Sequence, residues 1–288
     1  MQSQLRKYIP LFKNCWQQEG NMRFRRLIRF INKYSVAALS CVYTLTIGLF
    51  FSKKRVFLSD ICKIFGYNPK LIPPRVPTIT FPETLRDDTL IQIREPIDAN
   101  GNITILELVV IAKLIAQYKP LRLFEIGTFD GRTTLNMAAN SPADAKVFTL
   151  DLPKEQMNST TLGLSGKYSP DDKLFIDKNA SGSRYTGTDC QSKITQLYGD
   201  SAAFDFGSFF NTMDFIFIDG SHSHDYVMND SAVSLKLLRN GKGIIIWHDY
   251  DAVWEEVTEA LNKLYGTVPG FAKMRHISGT SLVYLLLW

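Results

Sequence analysis

The sequence predicts an α/β protein built on a doubly wound, mostly parallel sheet that a C-terminal antiparallel hairpin closes. Three observations carry that expectation. Leu123-Phe-Glu-Ile-Gly-Thr-Phe-Asp-Gly-Arg-Thr133 is an apolar run, a glycine turn and the start of a helical pattern, the strand–turn–helix unit of such sheets. Further apolar runs follow at Lys146–Asp151, Gln196–Ser201, Met213–Asp219 and Gly243–Asp249, each ending in polar or acidic residues. They read as strands buried on both faces, with ligand-binding groups collected at one sheet edge. Phe271–Ile277 and Ser281–Trp288, joined by a glycine-containing turn at Ser278-Gly279-Thr280, read as an antiparallel pair.

The chain opens on a different kind of segment. Of its 288 residues, 45% are hydrophobic and 21% charged, enough for one sizeable domain and an appendage. Residues 1–55 hold eleven Lys and Arg against one acid, Glu19, a net +10. The remainder holds 22 basic and 27 acidic residues, a net −5, and offers no basic stripe for nucleic acid. Arg23, Arg25, Arg26, Arg29 and Lys33 precede an apolar stretch, Val36–Phe51, which Lys53-Lys54-Arg55 closes. Its 16 residues fall short of the roughly 20 that a spanning helix needs, and neither its position nor its flanks suit a cleavable signal. A span would also put the heavier basic flank, and with it the cytoplasmic side, on the wrong end for an enzyme domain. Three readings stay open for residues 1–60: an in-plane anchor on an anionic membrane, a short span, or a soluble helical cap or homo-oligomer contact. The four cysteines, Cys15, Cys41, Cys62 and Cys190, form no C-x-x-C pair, so neither a zinc knuckle nor a disulfide framework is expected.

Residues 61–100 form a connector marked by Pro69, Pro73, Pro74, Pro77 and Pro82. Each proline removes a backbone donor and pushes its predecessor to extended geometry, which suits a strap over a surface. The domain that carries the sheet then spans 101–288. Ile103–Tyr118 has apolar residues at helical spacing and is stopped by Pro120, so a helix covers the sheet before the first strand. Pro153–Asp189 is long, polar and without periodicity, the character of a functional loop over the active edge.

Glu125 ends the first strand, and Gly127 and Gly131 follow in an E-x-G-x-x-x-G pattern. A dinucleotide fingerprint needs a third glycine and no such acid, because a carboxylate there repels a pyrophosphate and suits a ligand bearing an ammonium. Asp151 stands about 20 residues beyond the turn, where an acid takes ribose hydroxyls. The pattern resembles motif I of class I S-adenosylmethionine (SAM) methyltransferases, which are Rossmann-like. That resemblance implies SAM as cofactor, across Glu125, Gly127 and Gly131, with Asp151 on the ribose and Asp200 and Ser201 near the adenine.

Two further segments, Ile218-Asp219-Gly-Ser-His222-Ser-His224-Asp225 and Ile246-Trp-His248-Asp249-Tyr250, resemble the metal-dependent O-methyltransferases, the branch with the catechol and macrolide-sugar enzymes. By that resemblance Asp219, His248 and Asp249 hold a divalent metal and His222, three places after Asp219, is the general base. His224 has no matching role and reads as a surface residue at a helix start. Metal and base together suit methyl transfer to oxygen: the ion lowers the hydroxyl pKa and an imidazole takes the proton near neutral pH. The branch usually has an oxygen ligand where this chain has His248. Magnesium prefers oxygen and imidazole suits softer ions, so either the metal is Mn, Fe or another ion, or His248 is not a ligand, waters fill its place and Mg stays open; a metal-free site worked by His222 and His248 is the weaker course. The expectation is a SAM-dependent O-methyltransferase acting on a hydroxyl of a small molecule or sugar, cytoplasmic or held at the cytoplasmic face of a membrane. A catalytically silent membrane scaffold of the same fold and a nicotinamide-dependent oxidoreductase are the alternatives. The retained Asp219, His222 and Asp249 weigh against the first, the missing glycine and the closing hairpin against the second.

Overall fold

The computed structural model describes residues 31–51, 58, 72–80, 85, 88–97, 99, 101–162, 176, 181–251 and 253–287. Arg23, Arg25, Arg26, Arg29, Lys53, Lys54 and Arg55, and most of the long loop after residue 162, lie outside them. The chain divides into two compact units, 1–68 and 69–288. In the first, residues 31–45 form helix α1, and a 3₁₀ turn at Ile47–Phe50 follows.

The second unit holds the expected sheet. Its strands are β1 (Thr78–Ile79), β2 (Arg122–Ile126), β3 (Lys146–Asp151), β4 (Ile194–Tyr198), β5 (Phe215–Ile218), β6 (Gly243–Trp247), β7 (Arg275–Ile277) and β8 (Val283–Leu287). They lie in the order β1-β7-β8-β6-β5-β2-β3-β4. All neighbours are parallel except β8, which runs antiparallel to β6 and β7, so the C-terminal hairpin closes the sheet as its sequence predicts. The hairpin strands are shorter than the segments read from sequence, since Phe271 ends a 3₁₀ turn at Pro269–Phe271. β1 was not expected. Two residues of the proline-rich connector pair with His276 and Ile277, so part of the strap is a sheet edge. Buried Tyr250 holds it there, accepting from the Arg75 and Val76 amides, while Asn262 accepts from Arg75 and donates to the Pro73 carbonyl.

Among the described residues four helices wind the sheet: α2 (Ile105–Tyr118), α3 (Arg132–Asn140), α4 (His224–Leu237) and α5 (Glu255–Thr267). Strand period decides which residues meet which helices. Leu123, Phe215, Phe217, Ile244 and Ile246 face α2 and α3 in one cluster. Phe124, Ile126, Ile216, Ile218, Ile245 and Trp247 face α4 and α5 in the other. Both faces are therefore buried, which explains why these strands lack polar alternation.

α2 begins where the sequence turns polar, at Thr104. Its hydroxyl accepts from the Glu107 amide while the Glu107 carboxylate accepts from the Thr104 amide, a reciprocal cap. The chain runs β2, β3, β4 outward and then returns to place β5 on the other side of β2. The switch of direction lies between β2 and β5. The crevice beyond the strand ends at such a point is where sheets of this kind bind ligands.

Candidate active site

At that switch point two chain turns nearly touch. The Asp219 amide donates to the Ile126 carbonyl at 2.8 Å, and Gly127 follows with φ +97°. A Cβ on Gly127 would stand 1.9 Å from the Asp219 carbonyl oxygen, so no other residue fits without moving the end of β5. A cavity of about 300 Å³ opens here. Among its walls are Gly127, Phe129, Asp151, Asp200, Ser201, Asp219, His222, His248, Asp249 and Trp254.

Eight of the ten residues proposed from sequence therefore line one cavity. Glu125 and Gly131 are the two that do not appear among its described walls. Glu125 is fully buried behind the turn, where its Oε2 accepts from Thr134 and, at 2.6 Å, from Thr149. Burial drives its pKa up to about 8 against those two bonds, and Asp219 and Asp151 nearby push the same way. Its Oε1 has no hydrogen-bond partner among the described residues. Gly131 caps α3 with φ +84°, and Gly182 and Tyr185 close over it.

The polar walls divide into two groups. Asp151 accepts from Ser181. Asp200 accepts from the Tyr226 hydroxyl at 2.8 Å and from the Thr161 amide at 2.6 Å, which anchors the start of the long loop. Burial would raise the Asp200 pKa, but the amide and phenol donors outweigh it and hold it low. The second group gathers at the ends of β5 and β6. Asp219, His248 and Asp249 each offer a ligand atom, all within 4.8 Å of one another. His248 Nδ1 lies 3.1 Å from both Asp219 Oδ1 and Asp249 Oδ2. Burial alone would lower the His248 pKa, yet the charges of Asp249 and Asp219 raise it well above 6.5. Asp249 is likewise held far below the usual carboxylate range: burial opposes this, and the charge of His248 and the bond to His222 overcome it.

Asp249 reaches this position at φ +65°, an unusual conformation for a residue other than glycine. Strain of this kind costs about 1–3 kcal/mol and survives only where the surroundings enforce it. Here the neighbours are Ser281, whose hydroxyl accepts from the Asp249 amide, and His222, whose Nε2 is 2.8 Å from Asp249 Oδ2. His222 also stacks on Trp254, with ring centroids 3.7 Å apart and planes 12° from parallel. His224 is outside the cluster and pairs with its neighbour Asp225 at the start of α4.

Two residues at the site were missed from sequence. Trp254 precedes α5 in a segment without pattern. Glu107 had a readable signal, the T-x-x-E cap, but its second role depends on the fold. Its Oε1 accepts from the Ser281 amide and hydroxyl at 2.7 and 2.8 Å, and its Oε2 lies 3.4 Å from His248 Nε2. Burial raises its pKa, but His248 together with the Ser281 and Thr104 amides brings it down to about 2. Glu107 thus grips the far side of the His248 ring while Asp219 and Asp249 hold the near side.

Residues 124–250 match the model of a family described as a methyltransferase domain. The matched stretch, 127 of 288 residues, runs from within β2 through the glycine turn and past the end of β6, and it supports reading this Rossmann-like unit as a methyltransferase domain. No curated protein matches the sequence. Among solved structures it is similar to the SAM-bound O-methyltransferase TomG of Streptomyces achromogenes, involved in tomaymycin synthesis, at 15% identity and a TM-score of 0.45, covering 66% of this chain and 83% of that one. The methyltransferase PaMTH1 of Podospora anserina, bound to S-adenosylhomocysteine (SAH), gives 14% identity and 0.45, over 66% and 81%. An O-methyltransferase of Bacillus cereus with SAH gives 14% and 0.42, over 65% and 84%.

Proposed function

We propose that this domain transfers a methyl group from SAM to a hydroxyl oxygen of a small molecule or sugar, at a divalent metal held by Asp219, His248 and Asp249. The observation that carries the reading is the meeting of those three side chains with His222 in the cavity that Gly127, Asp151 and Asp200 also line. Gly127, Asp151, Asp200 and Ser201 line the cavity the cofactor would enter. The Asp151 carboxylate is of the type that takes ribose hydroxyls. We assign Asp200 and Ser201 to the adenine. Glu125, buried behind the turn with a raised pKa, backs this wall rather than meeting the ligand. The donor set suits a divalent ion too, two carboxylates and an imidazole, and the imidazole favours Mn or Fe over Mg.

When bound, the cofactor supplies a methyl group on a sulfonium and the ion supplies Lewis acidity to the acceptor hydroxyl. The chain supplies position and a proton acceptor. Glu107 fixes the His248 ring so that Nδ1 faces the two aspartates. His222 takes the hydroxyl proton on its ring. The resulting imidazolium donates from Nε2 to Asp249 and lies over the face of Trp254, and both contacts stabilise its charge. Apolar walls, Ile126, Phe129, Leu150 and Trp254, keep water from the reacting atoms.

A second reading has its own observation. His248 sits between Asp219 and Asp249 with a raised pKa, and an imidazolium there could stand in the metal's place. Chelation separates the two. Labelled methyl transfer to a panel of catechols and hydroxylated sugars should stop in excess chelator and return with Mg, Mn or Fe, while Asp219→Ala stays inactive. Full turnover in chelator would discard the metal and leave the imidazolium.

A further inference from the structure

We propose that α1 docks in the plane of an anionic lipid surface, its apolar arc sunk at the headgroup boundary and its polar seam outward. The inference is independent of the reaction assigned to the second unit. Nearly every large apolar side chain of residues 31–51 is exposed, among them Val36, Leu39 at 69%, Val42, Leu45, Ile47 and Phe50 at 84%. A soluble surface rarely carries so contiguous an apolar patch without a partner.

Helical spacing sorts these residues. Lys33, Ala37, Ser40 and Thr44 share one narrow face, and Val36, Leu39, Val42, Tyr43 and Leu45 occupy the broad arc around the rest, with Asn32 and Ser35 the polar residues among them. Just past the helix, the Thr46 hydroxyl donates to the Val42 carbonyl at 2.6 Å, so its donor is met within the chain. Among the described residues no helix is long and apolar enough to cross a membrane.

Charge complementarity identifies the lipid. In sequence, Arg23, Arg25, Arg26, Arg29 and Lys33 stand before the apolar stretch and Lys53, Lys54 and Arg55 after it, with Glu19 the one acid in residues 1–55. Basic residues on both flanks of an apolar helix attract an anionic surface and lose that attraction in salt.

The full chain should be tested by flotation with vesicles of phosphatidylcholine alone and of phosphatidylcholine with about a third phosphatidylserine, each at low and high salt. Binding should be at least about tenfold stronger to the anionic vesicles and weaken in high salt. The double change Leu39→Glu with Val42→Glu should abolish it, and Arg25→Glu with Arg26→Glu should erase the preference for anionic lipid, both with SAM affinity unaltered. A chain that stays in solution with every vesicle overturns the proposal. So does a stable dimer that ignores vesicles and dissociates on Leu39→Glu with Val42→Glu, which would make a second copy the occupant of this face.

Discussion

Replacing Glu125 by glutamine probes the ground on which the glycine turn rests. The shape is kept, and the amide oxygen can still accept from Thr134 and Thr149. What is lost is a carboxyl whose pKa rises from 4.5 to about 8 on folding, through complete burial. The folded state keeps this proton while the unfolded chain sheds it from about pH 4.5 upward, so the folded state binds more protons and stability falls with pH across that window. Between pH 5 and 7 the unfolded carboxyl gains about 2–3 kcal/mol by ionising and the folded one gains almost nothing, at 1.36 kcal/mol per pH unit. Urea unfolding followed from pH 5 to 7 should therefore show the wild type losing about 2–3 kcal/mol more than Glu125→Gln. At pH 5 the two should be of similar stability, because the neutral carboxyl and the amide each set a donor at the Oε1 position, where there is no partner. Parallel pH profiles for the two proteins would refute the reasoning and put an ionised carboxylate behind the turn.

Two other changes reach the site more directly. His222→Ala should keep the fold and SAM affinity yet lower turnover roughly 10²–10⁴-fold, and remove the ascending limb of the pH–rate profile; an active variant with an unaltered profile would move the base elsewhere. Gly127→Ala forces a Cβ to within 1.9 Å of the Asp219 carbonyl at φ +97°. It should cost about 3 kcal/mol or more in thermal or urea unfolding and take methyl transfer with it, whereas a stable, active variant would show that the two strand ends can part.

The strands of the sheet core were legible because burial on both faces leaves an unbroken apolar run, and because polar residues resume at each strand's carboxyl end. The places of Asp219, His222, His248 and Asp249 just past β5 and β6 were legible from those strand ends, while the roles proposed for them came from the family resemblance. β1 was not, since two residues in a proline-rich strap carry no periodicity and owe their pairing to His276 and Ile277, nearly 200 residues away. The setting of Glu125 needed the register that sets it opposite Thr149, and the burial that follows from it. Glu107 shows the limit most clearly. Its cap with Thr104 is written locally, but its approach to His248 joins a helix start to a strand end that only the finished sheet brings together.

Calorimetric titration of SAM into the full chain tests most directly that this cavity is a methyl-donor site. One equivalent should bind, Asp151→Ala should weaken it by about 1–3 kcal/mol, the scale of a hydrogen bond to a charged group, and His222→Ala should leave it unchanged. No binding of SAM by the folded chain, or binding of a nicotinamide dinucleotide in its place, would contradict the assignment.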